Sequence, residues 1–285
     1  MTQVLTDRPT TGGANQVNPT LALKQRRKAR RRQVKVIVLQ ALLLLTVVLV
    51  WEFVSGRYIN ELMISRPSKV FPTFWEWVKD GTLLENAFST FRSAVLGLLI
   101  GGLVGVTMGV ILGQSRFLAE ICEPFITALY TMPKQALIPL FIMWVGIGSA
   151  LGTLTASVIA FFLIFFNTFF GIRDVRQSLV NSVQVMGGSR LDVLFRVRLP
   201  SALIWVVAAL KLAVPQSVVA VVISEMLAGD HGLGHLVSLH AGMFNSAGTY
   251  AALLALLIAG FVVDRTVSWA VKKPLEWKET SNGDV

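Results

Sequence analysis

The apolar residues of this chain gather into long runs of about twenty or more, the length needed to cross a ~30 Å hydrocarbon layer, rather than into the one-sided stripes of soluble helices. The runs fall at about 35–55, 90–113, 118–145, 151–172, 201–225 and 248–270. They predict an all-α membrane protein of about six transmembrane helices. Six crossings bring both termini to the same side.

Charge says which side that is. Lys24, Arg26, Arg27, Lys28, Arg30, Arg31, Arg32 and Lys35 form a basic block that ends where the first apolar run begins. Juxtamembrane cations stay on the cytoplasmic side during insertion. Arg116, then Arg173, Arg176, Arg190, Arg196 and Arg198, then Lys272 and Lys273 fall on that same side, whereas 227–247 contain no Lys or Arg. In 56–89, Arg57, Arg66, Lys69 and Lys79 are balanced by Glu61, Glu76, Asp80 and Glu85. Both termini are therefore expected in the cytoplasm.

This reading divides the chain into a disordered basic N-terminus (1–34), a first transmembrane helix (35–55) and an extracytoplasmic segment (56–89). A membrane core follows (90–272), with a cytoplasmic loop at 173–200, and then a cytoplasmic tail (273–285). Residues 1–23 carry Gly, Thr, Asn and Pro with no apolar period, the composition of disorder. The first run shows no small-residue cleavage site before Trp51 and Glu52, so it reads as a retained span and not as a signal peptide.

Composition agrees with a membrane protein: 54% of the 285 residues are hydrophobic, against about 45–50% in soluble domains. The net charge of +10 would suit nucleic acid if it were spread over a surface. Most of the excess lies in the block beside the first span, which points to anionic lipid as its partner and not to nucleic acid. Cys122 is the only cysteine, which excludes an internal disulfide and a Cys-rich zinc site. It reads as a small apolar filler.

Several features inside the spans invite interpretation. Gly97, Gly101, Gly105, Gly109 and Gly113 recur every four residues and put a bare backbone stripe on one helix face. Such a stripe favours close helix packing, either within the chain or between two copies. The third run, TMPKQALIPLFIMWVGIG, is interrupted by Pro133, Lys134 and Pro139 and cannot be one straight helix. Irregular backbone at membrane depth must face protein or water. Lys134 then either lines a path for an anion, snorkels to an interface or pairs with a carboxylate. Gln216 and Ser217 in the fifth run are further pathway candidates beside Pro133 and Pro139. Arg92, Asp264 and Arg265 sit near span ends, while Glu123 and Glu225 each require a partner.

Enzyme chemistry finds no support: there is no GxxxxGKS/T, no HExxH and no serine nucleophile elbow. His231, His235 and His240 lie in GDHGLGHLVSLHAGM, where the first two have metal-ligand spacing. They lack a clear carboxylate companion, and Gly232 and Gly234 argue against a stable helix between them. No metal site is expected.

The informative stretch is cytoplasmic, RDVRQSLVNSVQVMGGSRLDVLFRVRLP at 173–200. Its pattern predicts a helix, a turn at Gly187-Gly188 and a second amphipathic helix, forming a compact knob. It resembles the EAA loop of binding-protein-dependent ABC permeases, whose pattern is Glu-Ala-Ala, three residues, Gly, nine residues, Ile, one residue, Leu-Pro. Gly187 takes the glycine position, Val197 the isoleucine position, and Leu199-Pro200 close the motif, while Asn181-Ser182-Val183 replace Glu-Ala-Ala. The resemblance runs from about residue 65 to 275 through ISRPSKVFPTFWEW, PKQALIPLFIMWVGIG, FFNTFFGIRDV and ISEMLAGDHGLGHLV, and its details are similar to the nitrate/sulfonate/taurine-type branch.

That resemblance implies a type I importer permease of MetI-like architecture in the bacterial inner membrane. It implies a non-catalytic chain paired with a second copy, with a cytoplasmic ATPase docked near 180–190 and an outer solute-binding protein. ATP and Mg would then belong to the ATPase, with no cofactor on this chain. The solute would be a small molecule such as nitrate, a sulfonate or taurine, and Lys134 leans the expectation towards an anion. An ion-coupled secondary transporter is the alternative, although six spans without an evident inverted repeat fit it poorly.

Overall fold

The computed structural model describes residues 19–279, with side chains over 32–115 and 117–270. Residues 1–18 and 280–285, which hold most of the expected disordered N-terminus and the end of the expected tail, lie outside the described residues. So do the side chains of Arg116, Lys272, Lys273 and the basic block up to Arg31. No β-strand occurs among the described residues.

The chain divides into two units after Val54. The first contains helix α1, Pro19–Val54. It begins well before the expected boundary at 35 and runs through the basic block. Leu, Ala, Lys, Gln and Arg are all strong helix formers, and Pro19 sits at the start, where its missing N–H costs nothing. The apolar stretch Arg32–Val54 has a mean hydropathy of 2.5 and is long enough to cross a membrane.

The second unit opens with a turn in which the Gly56 amide donates to the Ile59 carbonyl at 2.8 Å. Glu61 pairs with Arg66 at 3.1 Å and with Lys69 at 2.9 Å. Helix α2, Pro67–Lys79, follows, so 56–89 is more than a connector. Phe74 and Trp77 of α2 pack on Leu233, Leu236, Val237 and Ala252, covering one flank of the bundle.

Helices α3 (Thr82–Gln114) and α6 (Ser149–Arg173) form the centre. Between them come α4 (Arg116–Thr131), a 3-10 turn (Lys134–Leu137) and α5 (Ile138–Val145). Phe117–Thr131 and Lys134–Val145 are bent by 84°. Pro133 and Pro139 flank the break. Neither proline can donate a helical hydrogen bond, which accounts for it.

The bent pair is a true crossing. One end of the bundle is where Gly113 of α3 meets Ile172 of α6, and α4 starts there, capped by the Ser115 hydroxyl that accepts from Leu118 N at 3.3 Å. At the far end the Gly148 amide donates to the Ala228 carbonyl at 3.2 Å, just after α5 stops. The segment from 116 to 145 therefore travels from one end of α3–α6 to the other, and with α1 the chain has six crossings.

The segment between α6 and the next long helix holds α7 (Gln177–Val185) and α8 (Arg190–Val193), and a wide π-type turn at Leu194–Arg198 leads into α9 (Leu199–Ala228). Pro200 offers no N–H to the Arg196 carbonyl, which is why the helix widens there. Helices α10 (Leu233–Gly242) and α11 (Ser246–Glu279) complete the unit. The core of the bundle is the phenylalanine ladder Phe161, Phe165 and Phe169 of α6 against Ala119 and Ile126 of α4 on one side. On the other, Ile164 packs against Ala209 and Ala213 of α9.

Candidate functional site

All five glycines of the repeat face α6. A methyl group on Gly97 would lie 2.7 Å from the Thr153 carbonyl oxygen, one on Gly105 would lie 2.9 Å from that of Phe161, and one on Gly101 would run into the Ser157 carbonyl. The repeat is thus used within the chain, holding α3 and α6 backbone to backbone along their length.

The expected knob at 173–200 is built on three valines. Val180 of α7, Val193 of α8 and Val197 of the wide turn are buried together, with Val183 and Val175 packed against them. Gly187 has φ of +82°, a left-handed conformation that only glycine adopts without cost. At Gly188 a side chain would meet the Val183 carbonyl at 2.7 Å, because its own amide approaches to donate there at 2.9 Å. The Ser189 hydroxyl accepts from the Asp192 amide at 3.2 Å while the Asp192 carboxylate accepts from the Ser189 amide at 2.9 Å, a reciprocal cap on α8.

With the glycine pair folded this way, the tip of the knob is apolar and bare. Val185 is 89% and Met186 86% exposed, with Leu191 and Phe195 also exposed. Asn181, at the glutamate position of the motif, is tied to Gln177, whose amide donates to it at 3.0 Å, and Ser182 bonds back to the Ser178 carbonyl at 2.9 Å. Leu199 and Pro200 begin α9, and Arg198 donates to the Gln114 carbonyl at 3.1 Å, fastening the knob to the end of α3.

In the broken crossing, Lys134 donates to the Tyr130 carbonyl and lies 5.5 Å above the Tyr130 ring and 5.4 Å above that of Phe162. Its charge is met by its own chain. Pro133 and Pro139 are exposed beside it, and Gln216 is exposed on α9. Ser217, in contrast, is buried on the stripe it shares with Ala213, Ala220 and Ser224, with no hydrogen-bond partner for its hydroxyl among the described residues. It faces the bundle interior, away from Gln216. Glu123 finds its partner in Arg173 at 3.5 Å.

The opposite end of the bundle, where α9 meets α10, holds a buried polar cluster. Glu225 of α9 accepts from the Thr90 hydroxyl at 2.9 Å and from the Gly234 amide at 3.0 Å. Thr90 in turn accepts from the Leu233 amide at 2.9 Å, and Asn86 accepts from the Gly232 amide at 2.7 Å. These amides are the first donors of α10, which no helical carbonyl can satisfy. A carboxylate at a helix N-terminus is also favoured by the helix dipole. Glu225 thus pairs with a helix end and a hydroxyl, not with a cation.

His231 precedes α10 and touches Asp230 at 3.4 Å, His235 lies within the helix, and His240 stacks near Trp77 at 5.0 Å. No group of three potential metal ligands converges among the described residues. Arg92, Asp230 and His231 share an open cavity of about 620 Å³ between the N-terminal halves of α3 and α6. Sequence reasoning passes over Asn86 and Thr90, whose only signal is a polar i, i+4 pair at a span end. It also passes over Lys211, a lone cation inside LIWVVAALKLAV that is plainly legible.

Known proteins share this architecture. The solved inward-facing methionine ABC transporter MetNI superposes with a TM-score of 0.58 at 18% identity, covering 71% of this chain and 97% of that chain. The permease protein SsuC of Bacillus subtilis (strain 168), named for aliphatic sulfonates transport, is 26% identical over 83% of this chain and 86% of its own. The nitrate import permease protein NrtB of Leptolyngbya laminosa is 26% identical over 75% of this chain and 77% of its own. Residues 101–274 match the family described as binding-protein-dependent transport system inner membrane component. The chain belongs to that family: it is the multi-pass, non-catalytic inner-membrane permease subunit of an ABC importer, with the ATPase and the solute-binding protein as separate partners.

Proposed function

We propose that two copies of this chain form one translocation pathway for a small anionic solute, and that an ATPase subunit docks on each cytoplasmic knob. The observation that carries the docking assignment is the bare apolar tip of Val185 and Met186, 89% and 86% exposed, on a knob held together by a buried valine cluster. An apolar tip on the side facing cytosol, not lipid, calls for a protein groove. Asn181, Ser182, Val183, Gly187, Gly188, Val197, Leu199 and Pro200 shape and orient that tip. Asn181 brings no charge to the contact, so docking rests on apolar burial.

ATP and Mg are bound by the ATPase, and this chain binds no cofactor. ATP can turn the pathway only by its difference in affinity for the two states of the assembly. The solute-binding protein meets the outer surface formed by 56–89 and 227–247. The names of the sulfonate and nitrate relatives support an anionic solute.

The test is to purify the tagged permease gently from membranes and measure the ATPase recovered with it. Burial of each apolar tip residue contributes about 1.5–3 kcal/mol. The double variant Val185→Asp, Met186→Asp should therefore release the ATPase by a factor of roughly a hundred or more, with the permease still folded. Undiminished ATPase recovery by that variant would refute the docking assignment.

A further inference from the structure

Lys211 lies near the middle of the long apolar helix α9. Its neighbours Ala209 and Ala213 pack on Ile164, near the centre of α6, and at 1.5 Å per residue it stands about 18 Å from Leu199 and about 25 Å from Ala228. With that position centred in a hydrocarbon layer of ~30 Å, either interface is about 15 Å away, beyond the reach of a four-carbon stem of about 6 Å. Among the described residues Lys211 has no ion pair, hydrogen bond or ring contact, and it is exposed.

The helix that carries it is otherwise well covered. Ala209, Ala213, Ser217 and Ala220 form its buried stripe, Val214 and Val218 turn towards Val262 and Val263 of α11, and Ile223 packs with the α5 cluster. One face is left open between α5 and α11, where Ile204, Leu212 and Val219 are exposed. Lys211 is on that face, and so is Pro215 one turn further on. Proline at 215 has no N–H to give the Lys211 carbonyl, so the same turn presents an ammonium and a helix carbonyl deprived of its donor.

Lipid is a poor neighbour for such a turn: a lysine at the bilayer centre costs about 2.5–3.5 kcal/mol on insertion scales, and a deprived carbonyl adds to it. Within the chain, Glu123 and Glu225 are near the span ends and already partnered. Asp264 of α11 is adjacent to Val263, which faces α9, but it makes no ion pair with Lys211 and is followed at once by Arg265.

Resting on the permease reading above, we infer that the open face of α9 lines the water-filled pathway and that the Lys211 ammonium is its midpoint contact for the negative group of a small oxyanion. This moves the anion contact from Lys134, whose charge is met by Tyr130 and Phe162, to Lys211.

The test uses the full assembly with its ATPase and binding protein in membrane vesicles, in a Cys122→Ser background. Single cysteines replace Ala208 or Val219 on the same face and are challenged with sulfonatoethyl or trimethylammonioethyl methanethiosulfonate. With Lys211 intact the anionic reagent should react about tenfold faster than the cationic one, from one positive charge within about 12 Å along the helix. Lys211→Gln should remove that bias and cut nitrate or sulfonate uptake, while Lys211→Arg retains both.

Absence of reaction at either cysteine would place lipid or protein on this face and overturn the inference. Reaction without charge bias would overturn it as well. Recovery of uptake in the double variant Lys211→Gln, Asp264→Asn would make Lys211 a member of a structural ion pair and sink the assignment. Each of these outcomes leaves ATPase recovery, which tests the permease reading, unaffected.

Discussion

Thr90→Val tests the outer polar cluster with a substitution of nearly unchanged shape. Thr90 is fully buried, and its hydroxyl both donates to Glu225 at 2.9 Å and accepts from the Leu233 amide at 2.9 Å. A methyl group in its place leaves that amide without an acceptor and Glu225 with one donor fewer. An unsatisfied buried donor costs about 1–3 kcal/mol, and a typical hydrogen bond contributes about 0.5–1.5 kcal/mol. Relaxation of α10 absorbs part of the sum, so a local destabilisation of about 2 kcal/mol is a lower expectation, equivalent to roughly a thirty-fold shift in the opening equilibrium. Amide hydrogen exchange of the assembled complex reads this directly. Peptides covering Leu233–Val237 should lose about thirty-fold in protection while those from α6 are unchanged. Thr90→Ser keeps the hydroxyl and should behave close to the parent. Equal protection in the valine variant and the parent, or equal loss in the serine and valine variants, would refute the role given to this hydroxyl.

Two packing predictions follow from the glycines. Gly101→Ala drives a methyl into the Ser157 carbonyl, whereas Gly102→Ala meets only the Ile164 Cδ1 at 3.1 Å, the mobile end of a side chain. Overpacking costs about 1–3 kcal/mol, so the thermal midpoint in detergent should fall markedly for the first and little for the second. Gly187→Ala forces a side chain into the left-handed region at φ of +82°, a penalty of about 1–2 kcal/mol. It should lower ATPase recovery without changing hydrogen exchange in α3 or α6.

Much of this architecture is legible in the sequence because a bilayer imposes it. Each long apolar run must satisfy its own backbone, so runs become helices, and Pro133 and Pro139 announce the break. The glycine repeat is equally visible, but its partner is not: nothing in the run itself distinguishes α6 from a second copy. Composition misleads at 19–34, where the basic block reads as disorder although its residues favour helix. The partner of Glu225 is hidden for a different reason. Its donors come from Thr90, far away in sequence, and from backbone amides brought back by the reversal at Gly229–Gly232, and amides leave no signature in a string of side chains. Ser217 shows the limit of polarity as a signal, since a hydroxyl in a span can face the bundle interior as readily as a pore.

Helix α9 joins these sites into one mechanical element. From Arg190 the chain is helical through α8, the wide turn and α9 without a loop to absorb displacement. Its inner end is the wall of the knob, through Val193 and Val197, and its outer end carries Glu225, which holds the start of α10. A movement imposed on the knob has two places to go. It can be taken up where the helix hydrogen bonding is weakened, at the wide turn and at Pro215, or it must shift α10 and the outer surface with it. Lys211 lies between those two weak points, on the face that α3 and α6 leave open. Bending at Pro215 would therefore move the midpoint cation relative to the fixed α3–α6 pair, whose glycine contacts leave no room for sliding. ATP-driven closure at the cytoplasmic face would in this way reach the middle of the pathway through backbone already in place, with the α3–α6 pair as the frame against which α9 moves.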